Sequence, residues 1–97
     1  NSQVSKCNFT SLELKETDFF DSQIMQSDFY QANLAKSNFS GSNLKSTIFE
    51  NTDLTDVNFI NAKDYLINPL INKIKNAEFS MPEAMSLLNP LEVKISF

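Results

Sequence analysis

The feature that most restricts this chain is a period of five that runs unbroken from Ser2 to Asn61. Cut into fives, the stretch reads SQVSK, CNFTS, LELKE, TDFFD, SQIMQ, SDFYQ, ANLAK, SNFSG, SNLKS, TIFEN, TDLTD and VNFIN. The middle residue of every unit is apolar: Val4, Phe9, Leu14, Phe19, Ile24, Phe29, Leu34, Phe39, Leu44, Phe49, Leu54 and Phe59. Two places earlier, all twelve units carry a small or apolar residue: Ser2, Cys7, Leu12, Thr17, Ser22, Ser27, Ala32, Ser37, Ser42, Thr47, Thr52 and Val57. The place between is Asn, Asp, Glu or Gln in eleven units and Ile48 in the other. A repeat this regular decides architecture before local propensity does.

Five fits neither common pattern. A helix asks for apolar residues at i, i+3, i+4 and i+7, and a half-buried strand asks for strict alternation. On a helix, a step of five turns the apolar position through about 500°, or about 140° net, so no stripe forms. Within each unit, the two inward candidates are two apart, which is the side-chain period of extended chain. Each unit therefore reads as a very short strand and a corner. Stacked corners build a solenoid in which each coil touches only its neighbours.

A longer period lies inside the short one. From Phe9 onward the centres alternate Phe with Leu or Ile, and four units per coil would place residues twenty apart above one another. One wall then stacks Phe9, Phe29 and Phe49, and the opposite wall Phe19, Phe39 and Phe59. The other two walls carry Leu14, Leu34 and Leu54, and Val4, Ile24 and Leu44. A square coil explains the alternation, and a triangular one does not.

Units such as Ala32-Asn33-Leu34-Ala35-Lys36 resemble the A(D/N)LXX motif of the pentapeptide-repeat family. The resemblance covers residues 2–61 and continues weakly to about residue 81. It implies a mainly β fold, a right-handed quadrilateral β-helix with four units per coil. Some members of that family resemble double-stranded DNA in shape and charge, bind the type II topoisomerases (DNA gyrase and topoisomerase IV) and confer fluoroquinolone resistance. Most have no known biochemical role.

The expected organisation is one domain in three parts. Residues 1–61 form the repeat, with about three regular coils; 62–79 form a degraded last coil and loop; 80–97 form a cap helix and terminal strand. Ile74 and Phe79 fall twenty residues after Leu54 and Phe59, with Ala77 in the small place, while Asp64 stands where a Leu is due and Pro69 where a Phe is due. Pro69 cannot donate to a ladder, which suits the end of a sheet. Ser80-Met81-Pro82-Glu83 has the form of a capping box with an early proline. An α-helix is expected from Met81 to about Leu88, its stripe of Met81, Ala84, Met85 and Leu88 covering the open coil. Leu91, Val93, Ile95 and Phe97 alternate as a strand does. With Met85 and Leu88 they form the expected homodimer contact, by analogy with the topoisomerase-binding members. The chain opens in register without a polar cap, so it is expected to be a fragment of a longer protein, or else to stack its first coil on a partner.

The net charge of −4 falls entirely on the repeat: residues 2–61 carry eight acids and four lysines, and 62–97 carry four of each. Arg, His and Trp are absent. A basic footprint is missing, so direct nucleic-acid binding is not expected. No run of eighteen apolar residues occurs, so neither is a membrane-spanning helix. The lone Cys7 excludes an internal disulfide and fits a reducing, cytoplasmic location. Its place in the inward column predicts a buried thiol acting as a small hydrophobe. The inward Ser and Thr are expected to bond backbone at the corners. With no catalytic constellation and no phosphate-binding glycine loop, no enzyme activity, metal or cofactor is expected.

Candidate function lies on the outward positions. Glu13, Glu16, Asp18 and Asp21 cluster on two adjacent walls of the first coil, and Asp53 and Asp56 return on one of them two coils later. They read either as an imitation of DNA phosphates or as a solvated face that keeps the solenoid from pairing edge to edge. Phe20, Met25 and Tyr30 follow their centres by one place and suggest a contact surface. The leading expectation is a rigid, non-enzymatic rod for a protein partner that the sequence does not name. The alternative is a DNA mimic acting on a topoisomerase.

Overall fold

The computed structural model describes residues 3–81 and 83–91, with backbone alone at residue 89. The five-residue period becomes structure through its corners. From Lys6 to Asn61, the last residue of every unit sits in the left-handed region at φ between 49° and 73°, and only Gly41 among them is glycine. Such a conformation costs an ordinary side chain about 1–2 kcal/mol. Two hydrogen bonds hold the corner against that cost. The corner amide donates into the following coil, as from Glu16 to the Ala35 carbonyl at 2.9 Å and from Lys36 to that of Thr55 at 2.8 Å. In addition Asn8, Asp18, Asp28, Asn33, Asn38, Asn43, Asp53 and Asn58 each accept, through Oδ1, the N–H two residues on at 2.8–3.1 Å. The second place of the unit is Asn or Asp because a short side-chain acceptor mimics a turn carbonyl there.

A corner every five residues leaves little room for strand. The longest runs are β1 (Gln3–Ser5) and β2 (Gln23–Met25), followed by the two-residue β3 (Asn58–Phe59) and β4 (Glu78–Phe79). β1 pairs in parallel with β2, and β3 with β4, always with residues twenty apart. Single parallel bridges continue that register elsewhere, among them Asn8↔Asp28, Glu13↔Asn33 and Asp18↔Asn38. The chain is thus a β-solenoid, elongated to 37 × 24 × 23 Å.

The unit centres fill its interior. Ile24, Phe29, Leu34, Phe39, Leu44, Phe49, Leu54 and Phe59 are at most 2% exposed, and Val4, Phe9, Leu14 and Phe19 pack half-buried against them. Rings stack along each wall: Phe9–Phe29–Phe49 at centroid spacings of 4.8 and 5.3 Å, and Phe19–Phe39–Phe59–Phe79 at 4.7, 5.4 and 5.1 Å. The two files meet edge to face at 6.0–6.2 Å, the geometry that ring quadrupoles favour.

The inward hydroxyls tie coil to coil. Ser37, Ser42 and Thr47 each accept the N–H twenty residues earlier and donate to the carbonyl twenty-three earlier. This column therefore faces the preceding coil and is covered from that side. Among the described residues, nothing covers that side of the first coil. Cys7, expected to be buried, is exposed, and Leu12 is 46% exposed.

Beyond Asn61 the register is broken and then restored. Asp64, expected at a core centre, is exposed and turns a corner at φ 58°, two residues before one is due. The chain is thereby shifted, so that Tyr65 at 2% exposure and Ile67 at 1% fill the interior instead. The Asn51 amide reaches the carbonyl of Ile71, twenty residues on, where other corners reach nineteen on. Asn72 then does with one amide what the hydroxyls do. Its Oδ1 accepts the Thr52 N–H at 2.9 Å and its Nδ2 donates to the Phe49 carbonyl at 2.7 Å. Pairing resumes at Asp53↔Lys73 and Asn58↔Glu78.

The cap differs from expectation. It is a 3₁₀ helix over Glu83–Leu91 that continues through Pro90, not an α-helix ending near Leu88. Three residues per turn place Ala84, Leu87 and Pro90 in one file, and Leu87 packs against the core. Met81, expected on the covering stripe, precedes the helix and is 62% exposed. The Ser80 hydroxyl, expected to cap the helix, accepts the Asn61 amide at 2.8 Å and so fastens the cap's root to the solenoid. Val93, Ile95 and Phe97 of the expected terminal strand lie outside the described residues.

Candidate interaction surface

The outward acids are placed by the same corner chemistry that builds the coil. Glu13, Glu16, Asp18, Asp21 and Asp56 are exposed and Asp53 is half-buried. Glu16, Asp21 and Asp56 occupy corners at φ 59°, 49° and 59°. Asp18 and Asp53 accept the amides of Phe20 and Thr55 at 2.9 and 3.1 Å, and Asp53 also accepts the Thr55 hydroxyl at 2.6 Å. Burial pushes the Asp53 carboxyl up. The Thr55 hydrogen bonds, with Lys73 and Lys15 nearby, outweigh it and hold the group below its ordinary 3.8.

The register then decides what sits between the acids. Glu13 and Asp53 are on one file, separated by Asn33. Glu16 and Asp56 are likewise twenty residues either side of Lys36, and Asp21 is followed by Gly41 and Asn61. Each carboxylate column is thus interleaved with neutral or cationic groups. Phe20 is 46% exposed, whereas Met25 and Tyr30 are half-buried. These three follow centres on successive walls and do not form one patch. At the cap, Met85 and Leu88 are half-buried and Leu91 is 41% exposed.

Two concavities near the broken register were not foreseen. One, of about 310 Å³, lies among Ile48, Phe49, Leu66, Asn68 and Ile71. Exposed apolar side chains there, Ile48 at 45%, Leu66 at 70% and Ile71 at 42%, stand beside the polar Ser46, Thr47, Glu50 and Asn68. Ile48, the one departure from the polar second place, is the signal that could have found it. The other, of about 500 Å³, is lined by Lys45, Ser46, Asp64, Tyr65, Leu66, Glu83 and Ser86. The hydroxyl oxygens of Tyr65 and Ser86 lie behind its wall, closed to solvent and without a hydrogen-bond partner among the described residues. Burial, and then the Glu83 carboxylate, push the Tyr65 phenol up to about 12. Among the described residues, no group of three or more His, Cys, Asp or Glu could hold a metal ion. Nor, among them, is any helix long and apolar enough to cross a membrane.

Comparison with known proteins bears on the fold. Residues 22–61 match the family described as Pentapeptide repeats, as eight copies. Among solved structures, a trypsin-treated variant of QnrB1, a plasmid-mediated fluoroquinolone resistance protein, aligns at TM-score 0.78 and 15% identity over 97% of this chain. Full-length QnrB1 aligns at TM-score 0.79 and 14% identity over 94%. The chain spans 45% and 43% of those two proteins. A pentapeptide repeat protein from the thylakoid lumen of Arabidopsis thaliana, AT2G44920, aligns over 78% of this chain and 60% of its own at 20% identity and TM-score 0.43. No curated protein matches the sequence.

Proposed function

This chain belongs to the pentapeptide-repeat family, and we propose that it works without catalysis, as a stiff rod that presents its walls to a protein partner. The rod is right-handed and four-sided, one domain of about three regular coils, a degraded fourth and a cap. The observation that carries this reading is the twenty-residue register, kept from Gln3↔Gln23 to Asn43↔Lys63 and resumed from Asp53↔Lys73 to Asn58↔Glu78. It lines up outward side chains in files at the inter-strand spacing of about 4.8 Å, which is a fixed lattice for recognition. The polar groups that could do chemistry inside the coil, the hydroxyls of Ser37, Ser42 and Thr47, are engaged with backbone. A cytoplasmic location belongs to this reading and rests on the single Cys7.

A photoreactive residue at position 20, and another at position 63 on a different wall, test it in the living host. The proposal expects one protein to be cross-linked from one of these positions and not the other. No adduct from either, or identical adducts from both, overturns it.

A second reading is favoured by the likeness to QnrB1 and by the exposed acids. In it, the chain imitates DNA before a type II topoisomerase, as a homodimer joined through the cap. Protection of gyrase supercoiling from a fluoroquinolone would replace the first reading by this one. Absence of protection, with a monomer by light scattering, removes it. The interleaving by Asn33 and Lys36 weighs against it, because a phosphate mimic needs an unbroken negative file.

A further inference from the structure

The wall over the Leu14, Leu34, Leu54 and Ile74 file keeps the twenty-residue register through four levels, the last of them in the restored coil. Bridges Glu13↔Asn33, Asn33↔Asp53 and Asp53↔Lys73 fix it. The outward charges of this wall change sign at every level. The first level holds Glu13, Lys15 and Glu16, for a net −1, and the second holds Lys36 alone, for +1. The third holds Asp53 and Asp56, for −2, and the fourth Lys73 and Lys75, for +2. All of these side chains are exposed except Asp53, which is half-buried.

The other walls do not alternate. One carries Asp28 and Glu50 without a lysine, and another Asp18, Asp21 and Glu78 without a lysine. On the remaining wall Lys6, Lys45 and Lys63 outnumber Asp64. The alternating order has a property that a wall of one sign lacks. Read backwards, it is opposite in sign at every level, so it complements a copy of itself turned end for end. A two-fold contact requires such self-complementarity. Two copies running in the same direction would set like charge on like throughout. So would an antiparallel pair slipped by one level. Opposed charges of this kind fix register more than they add affinity.

The two-fold axis falls between the second and third levels. Ala35 and Thr55 follow the centres there, and both are half-buried. Neither is long enough to hold two walls apart. We propose that this wall pairs with the same wall of a second copy in antiparallel alignment. Glu13 and Glu16 then face Lys73 and Lys75, and Lys36 faces Asp53 and Asp56. The face is smaller than the about 20–30 residues a side of a standard interface, so the contact is weak and sensitive to salt. It does not rest on a partner at positions 20 and 63, which lie on other walls.

Alternating signs also let successive coils of one chain attract each other, so the decisive experiment acts between chains. Sedimentation equilibrium of the full chain should show a dimer in about 10 mM salt. Association should weaken about tenfold or more in about 1 M salt, as the screening length falls from about 30 Å to about 3 Å. Glu13→Lys with Glu16→Lys turns the first level to +3, and Lys73→Glu with Lys75→Glu turns the fourth to −2. Lys36, Lys73, Glu13 and Glu50 already hold equivalent places in other units, so both variants should keep the parent's circular dichroism. Either one alone should self-associate about tenfold more weakly than the parent or worse, because like charges then face each other. Mixed in equal amounts, the two variants should dimerise with each other, since every level again meets its opposite. Glu50→Lys, on another wall, should associate as the parent does. A parent that stays monomeric in low salt, reversals that leave the dimer intact, or a mixture that stays monomeric overturns the proposal. Growth beyond the dimer does so too, because a two-fold contact closes on itself.

Discussion

Residues 22–61 and residues 62–91 solve the same problem in two ways. In the first region, each position of the unit has one job and a partner twenty residues away that shares it. The result is a core at most 2% exposed and hydroxyls fully bonded. In the second, one early corner at Asp64 shifts the chain, Tyr65 enters the core, Asn72 stands in for a hydroxyl, and a 3₁₀ helix covers the end. Regularity stabilises the coil, but it also makes every coil chemically alike. Departure from regularity is what creates concave, individual surface.

The largest difference between the regions should appear on deleting a stacked ring. Phe39→Ala removes a fully buried Phe between Phe19 and Phe59 and should cost about 3–5 kcal/mol by denaturant titration. Phe79→Ala, at the half-buried end of the same file, should cost clearly less. Equal losses would mean that the last coil is as tightly packed as the middle ones, and the contrast would fail.

Next in size are the ties between coils. Thr47→Val strands the Ser27 amide and the Ile24 carbonyl, and Asn72→Leu strands the Thr52 amide and the Phe49 carbonyl. Each should cost about 1–3 kcal/mol, the cost of buried groups left unpaired. Matched losses make the Asn72 amide a true equivalent of the hydroxyl. A loss at Thr47 alone would make Asn72 a passive filler.

How much of this was legible depends on what a sequence pattern can express. The centre file from Val4 to Phe59, the twenty-residue stacking and the alternation of rings with aliphatics follow from spacing alone, because each residue's environment repeats. Exposure of Cys7 does not, since the column's burial comes from the coil before it and not from the residue. Asp64 misled for a related reason. Counting in fives assigns it to the core, whereas an Asp can hold a left-handed corner that moves the count by two, and Tyr65 and Ile67 then take the inward places. The helix type escaped as well: a capping-box pattern anticipates α-helix, but Ser80 bonds to Asn61 and the following residues pack in threes. The unpartnered hydroxyls of Tyr65 and Ser86 carry no sequence signal, because they arise only where the displaced chain and the cap meet.

A smaller effect tests the corners. Gly41 is the one glycine among them, at φ 73°, and a Cβ there would lie 2.0 Å from Asp21 Oδ1. Gly41→Ala should cost about 1–2 kcal/mol, the ordinary penalty of that conformation, because the Asp21 side chain can rotate away. Combining it with Asp21→Ala should recover little. Full recovery would mean that crowding, not the backbone, selects glycine at this corner.

The smallest effect separates the surface from the fold. Phe20 is 46% exposed on a regular wall, so Phe20→Ser forfeits part of the burial of a Phe, about 1 kcal/mol or less. The circular dichroism spectrum and the sharp, cooperative melt should be kept. That outcome makes position 20 a usable probe for partner contact, since any loss of cross-linking there would then report recognition and not unfolding. A loss as large as that of Phe39→Ala would show instead that the wall's outer aromatics brace the coil. The division between an interior that stabilises and a wall that recognises would then have to be given up for the regular region.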